Sequence, residues 1–127
     1  MKQVIDWFEI PAADFDRAAT FYENVFAVNL RREKMTIGDG SSLTLGIFPC
    51  ECPGISGAVC KGGPLTPGGV GTLIYLAAEP DVAPVLARVA ANGGRVVLDK
   101  TLVSEAIGYI GIFLDTEGNR VGVHAAC

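Results

Sequence analysis

The chain opens with a β-prone run, Val4-Ile5-Asp6-Trp7-Phe8-Glu9-Ile10, in which Trp7 and Glu9 alternate with Phe8 and Ile10 until Pro11 closes the segment. The period then changes. Asp14 stands where an N-cap is needed, and Phe15, Ala18, Tyr22, Val25 and Phe26 recur at helical spacing. This pattern predicts a helix over 15–26 with one core-facing stripe. Further β-prone segments occupy Asn29–Thr36, Ser42–Phe48 and Ala58–Cys60, with turns at Gly38-Asp39-Gly40 and Pro53-Gly54. A Gly- and Pro-rich loop then runs over 62–71 and reads as a linker inside one domain.

After this loop the pattern restarts. Thr72–Ala77 reads as a strand, and Pro80 suits the first turn of a second helix. In that helix Val82, Val85, Leu86 and Val89 form the stripe, and Asn92-Gly93-Gly94 ends it. Strands follow at Arg95–Leu98, Ile107–Leu114 and Arg120–His124. The turn Asp115–Asn119 between the last two is expected to take positive φ at Gly118 and Asn119. Phe15 precedes Val82, and Tyr22 precedes Val89, by a common offset of 67 positions. Each half therefore reads as a βαβββ unit, duplicated in pattern rather than in residue identity. The implied fold is α+β: two modules, about 1–64 and 68–127, within a single domain over 1–127. They would form an open, curved mixed sheet with helices on its outer face. The inner face is left uncovered, which makes it a pocket or an interface.

Composition narrows the function classes. At 127 residues, with 50% hydrophobic and 19% charged positions, the chain holds enough apolar surface for one core and is not disordered. Ten basic against fourteen acidic residues give a net charge of −4, which argues against a nucleic-acid surface. No apolar run approaches the ~20 residues of a membrane helix, and Asp6 interrupts the N-terminus before a signal sequence could form. A cytoplasmic protein is expected, with Cys50, Cys52, Cys60 and Cys127 as reduced thiols. Histidine occurs once, at His124, so no mechanism needing two histidines of this chain is open.

Several segments together resemble the vicinal oxygen chelate superfamily, which includes glyoxalase I, extradiol dioxygenases and bleomycin-resistance proteins. They are Trp-Phe-Glu-Ile-Pro (7–11), Asp-Phe-Asp-Arg-Ala-Ala-Thr-Phe-Tyr-Glu-Asn-Val-Phe (14–26), Gly-Thr-Leu-Ile-Tyr-Leu (71–76), Asn-Gly-Gly-Arg-Val (92–96) and Asp-Thr-Glu-Gly-Asn-Arg-Val-Gly-Val-His (115–124). The resemblance implies an open sheet whose concave side holds a divalent ion in the metal-dependent members, on His, Gln or Glu ligands. Carried over residue by residue, those positions fall on Trp7, on Ile74 or Thr72, on Gly122, and somewhere in Leu43–Phe48. These residues offer no His or carboxylate, so no metal and no other cofactor is expected. The resemblance also implies a homodimer.

By strand parity the inward-facing set is Trp7, Glu9, Ile74 and His124, with Phe48 as a further wall. Trp7 reads as core packing, a dimer contact or a platform for a stacked ligand. Glu9 reads as an ion-pair partner of an Arg such as Arg120, or as a general base raised by burial. His124 reads as a rim histidine, an acid–base group or a metal ligand. Arg17 and Arg88 read as solvated helix positions, and Tyr22 as core or rim. The expected function is metal-independent binding of a small, partly apolar molecule. The alternative is a glyoxalase-related lyase or isomerase using Glu9 and His124, or a relocated metal.

Overall fold

A computed structural model describes residues 3–51 and 53–127. Cys52 lies outside the described residues. The element order is β1 (Trp7–Pro11), α1 (Phe15–Phe26), β2 (Arg31–Thr36), β3 (Ser42–Ile47), β4 (Ser56–Lys61), β5 (Tyr75–Ala77), α2 (Val82–Ala91), β6 (Arg95–Ser104), β7 (Gly108–Leu114) and β8 (Arg120–Ala125). Each half is thus a βαβββ unit, and the two helices start 67 residues apart. The open sheet is built as two four-stranded mixed sheets, ordered β1-β4-β3-β2 and β5-β8-β7-β6. Each module's first strand is an edge strand, running parallel to its last.

Both helices are capped as their sequences require. The Asp14 carboxylate accepts the Arg17 backbone N–H, and the Asp81 carboxylate accepts that of Ala83. Asp81 is the cap of α2, so Pro80 precedes the helix rather than opening its first turn. The α2 stripe Val82, Val85, Leu86 and Val89 is buried as the spacing predicts. In α1 the buried face is wider than the predicted stripe, adding Ala19 and Phe21. Phe21 is claimed by the other module: it packs on Phe113 of β7 at 5.7 Å between ring centroids. The main core accordingly draws on both halves, with Tyr22, Phe21, Phe113, Val59 and Val123 fully enclosed. Fully burying each such side chain contributes roughly 1.5–3 kcal/mol.

Strands depart from expectation in several places: β1 starts at Trp7 rather than Val4 and takes in Pro11. The strand expected over Thr72–Ala77 is reduced to Tyr75–Ala77, although the Gly122 N–H still reaches the Ile74 carbonyl at 2.8 Å. The strand expected to end at Leu98 continues to Ser104, because successive irregularities in its pairing with β7 erase the alternation the sequence would otherwise show. Gly118 takes φ 85°, but Asn119 does not share it. Asn119 is a buried clasp instead.

Candidate active cleft

Trp7 and Glu9 project from β1 on the face opposite Phe8 and Ile10, which turn towards the core. They line a cavity of about 620 Å³ that the 62–71 loop also borders. Leu65, Pro67 and Val70 of that loop, Ile74, and Arg120 at the start of β8 complete the walls. The Trp7 indole is 43% exposed, and its Nε1 donates to Glu9 Oε2 at 3.4 Å. Glu9 is exposed rather than buried and takes no Arg partner among the described residues. Arg120 donates its Nε to the Gly69 carbonyl at 3.3 Å. Behind Glu9, burial and then the Glu9 charge push the Cys60 thiol above its ordinary range, which makes it a poor nucleophile.

The loop stays beside the cleft because Asn119 holds it. Asn119 Oδ1 accepts the Gly68 N–H at 3.0 Å, while its Nδ2 donates to the Pro11 carbonyl at 2.7 Å and to Asp115 Oδ2 at 3.0 Å. Asp115 is itself buried and accepts the Tyr22 hydroxyl at 2.7 Å and the backbone N–H groups of Glu117 and Asn119. Burial, first, and then the Asp115 charge hold the Tyr22 phenol well above its usual range. Next to this network, Arg17 grips Glu117 bidentately at 2.7 and 3.0 Å. Glu117 also accepts the N–H groups of Ala13 and Asp14. Burial alone would raise its pKa; these donors, led by Arg17, outweigh burial and bring it down to about 2. Arg17 and Arg88 are therefore not idle solvated residues: Arg88 Nε donates to the Val25 carbonyl at the end of α1.

Of the residues singled out in the sequence, Trp7, Glu9 and Ile74 line the same cavity. Ile74, however, packs against the main core as part of its floor, and Leu76 likewise faces inward. The open face of β5 belongs to Tyr75 and Ala77, which pair with Gly122 and His124. Leu76, assigned to the open face, thus lies on the core face, whereas Thr72 and Ile74 precede the strand and line the Trp7 cavity. Phe48 lines a neighbouring apolar cavity of about 460 Å³ with Phe8, Phe26 and Leu76, and meets Trp7 only across a further hollow. His124 lies apart from Glu9, in a hollow with Tyr75, Val103, Ile107 and Ile110. Its Nε2 sits 2.6 Å from the Ile107 carbonyl, so that nitrogen carries the proton and donates.

The strand register also matches positions between the two modules. Trp7 stands opposite Ser56 in the first sheet as Tyr75 stands opposite Gly122 in the second. Ser56 of β4, rather than a residue of Leu43–Phe48, is therefore the first module's counterpart of Gly122. An indole, a hydroxyl already bonded to the Phe48 carbonyl at 2.7 Å, a phenol and a glycine do not fit a divalent ion of the family type. Among the described residues no three His, Cys, Asp or Glu side chains converge as ligands. Gly122 is also sterically fixed: a Cβ there would stand 2.4 Å from the Tyr75 ring.

No curated protein matches the chain. Solved structures do. A glyoxalase/bleomycin resistance protein from Streptomyces sp. CB03234 superposes with a TM-score of 0.67 at 22% identity, covering 94% of this chain and 97% of that one. A glyoxalase-related enzyme from Fulvimarina pelagi gives 0.66 at 17% identity, covering 97% and 88%. A glyoxalase I mutant from Zea mays gives 0.66 at 16% identity over 95% of this chain, which spans only 46% of the maize protein. At these identities the likeness establishes the fold alone. Residues 4–123 match the sequence model of the Glyoxalase/Bleomycin resistance protein/Dioxygenase superfamily. The chain belongs to that superfamily.

Proposed function

We propose that the protein binds a small, partly apolar molecule in the Trp7 cleft without a metal ion. The observation that carries this reading is the half-open indole beside Glu9, above an apolar floor and bordered by an anchored loop. The indole face offers stacking area, and Glu9 with Arg120 offers polar contacts that fix orientation. Acid–base catalysis by Glu9 and His124 draws no support from side chains that line separate hollows. The reading assigns the protein to the cytoplasm, in keeping with the free thiols Cys50, Cys60 and Cys127. It also assigns a homodimer.

Trp7 is the only tryptophan, so intrinsic fluorescence reports on the cleft directly. Titration with a panel of aromatic, cationic and anionic compounds, followed in parallel by thermal shift, should give saturable quenching and a raised Tm for at least one. Trp7→Ala should remove the thermal shift for the same compound. A panel in which nothing stabilises the protein or alters its emission overturns the reading.

A further inference from the structure

The Trp7 cleft contains two opposite charges that do not satisfy one another. Glu9 and Arg120 line one cavity, yet neither joins an ion pair among the described residues. The pairs found there are Arg17–Glu117, Arg31–Glu33, Arg32–Glu23 and Lys100–Asp81. Each charge keeps ligand-facing capacity. The Trp7 indole engages only Oε2 of Glu9, at 3.4 Å. The Gly69 carbonyl engages only Nε of Arg120, at 3.3 Å, which leaves the outer edge of the guanidinium. Between and around them lie apolar surfaces: the indole, Leu65, Pro67, Val70 and Ile74.

We propose that this cleft selects zwitterions, molecules carrying an ammonium and a carboxylate close together on an apolar or aromatic skeleton, as a free aromatic α-amino acid does. The inference rests on the small-molecule reading above and narrows it to a chemical class. The selectivity follows from what each competitor leaves unpaired. A simple cation satisfies Glu9 but is repelled by Arg120. A simple anion satisfies Arg120 but is repelled by Glu9. A neutral ligand covers both charges and compensates neither, at a desolvation cost. A zwitterion places its ammonium on Glu9 and its carboxylate on Arg120, leaving its side chain for the indole and the apolar loop.

Four probes of similar size separate these cases: L-phenylalanine, phenethylamine, hydrocinnamate and 3-phenylpropanamide, each titrated against Trp7 fluorescence and by calorimetry. Phenylalanine should bind about tenfold or more tightly than each of the others, as expected when two charge-assisted contacts form together. Glu9→Gln should erase its advantage over hydrocinnamate while keeping that over phenethylamine, and Arg120→Gln should do the reverse. Both residues are exposed, and unchanged circular dichroism of the variants would exclude misfolding as the cause. Equal binding of phenylalanine and any single-charge or neutral probe overturns the zwitterion proposal while leaving the cleft as a small-molecule site. Failure of all four also overturns it, and the wider panel then judges the parent reading separately.

Discussion

Glu117 shows how much one side chain does here. Its side chain is fully enclosed, and a carboxylate so placed is tolerated because Arg17 and two backbone N–H groups hold the charged form. Since its folded pKa, about 2, lies below the ordinary carboxylate value of 4.5, the folded state binds fewer protons than the unfolded chain across that window. The stabilisation is complete above about pH 5 and is lost as pH falls from there towards 2. Glu117→Gln keeps the shape but not the charge, and should cost about 2–3 kcal/mol at pH 7. Urea midpoints of the two proteins should converge as the pH is lowered to about 2.5. A gap that stayed constant over this range would show that Glu117 is not ionised in the folded protein at neutral pH. Tyr22→Phe tests the neighbouring network: it removes the hydroxyl that donates to buried Asp115 and should cost about 1–2 kcal/mol with little change in helix content.

Helices were the most legible elements. Asp14 and Asp81 cap runs whose apolar residues repeat at 3.6, and both runs fold as that period requires. Strands were less so, because pairing irregularities in β6 and the shortening of β5 depend on partners distant in the chain. The same reason explains the site. The alternation of β1 is enough to put Trp7 and Glu9 on one face, but β5 has its parity set by Gly122, which makes room for the Tyr75 ring. Asn119 was the hardest to read: its sequence position suggests only a turn, whereas its side chain joins Gly68 and Pro11, 51 and 108 residues away. Among the described residues the 62–71 loop therefore hangs by hydrogen bonds from Gly68 on Asn119 and Gly69 on Arg120, with Leu65 and Val70 exposed on either side. Asn119→Ala should free the Gly68 amide and lower stability by about 1–3 kcal/mol. Hydrogen exchange should rise in 62–71 and at the end of β1 together. Exchange that rose only around residues 115–120 would mean the loop is held by something else.

At the scale of the molecule, the two modules share one core between their helices, and each sheet keeps a second face turned away from it. The sheet of β1 to β4 carries a separate small core there, Leu43, Leu45, Ala58 and Cys60, already buried within the chain, with Met35 exposed beside it. The other sheet exposes Tyr75, Val103 and Ile107 around His124. The exposed apolar side chains on the second sheet are thus Tyr75, Val103 and Ile107, and a two-fold axis through that face would set it against the same face of the partner in one closed assembly. The proposed homodimer makes a definite claim on this geometry. Light scattering at micromolar concentration should give twice the 13.3 kDa chain mass. The double variant Val103→Glu/Ile107→Glu places two like charges on a face outside the shared core, so circular dichroism should be preserved while the mass falls towards one chain. A wild-type monomer at these concentrations would remove the dimer. A variant that remained dimeric would move the interface away from this face, leaving the hollow around His124 open to solvent.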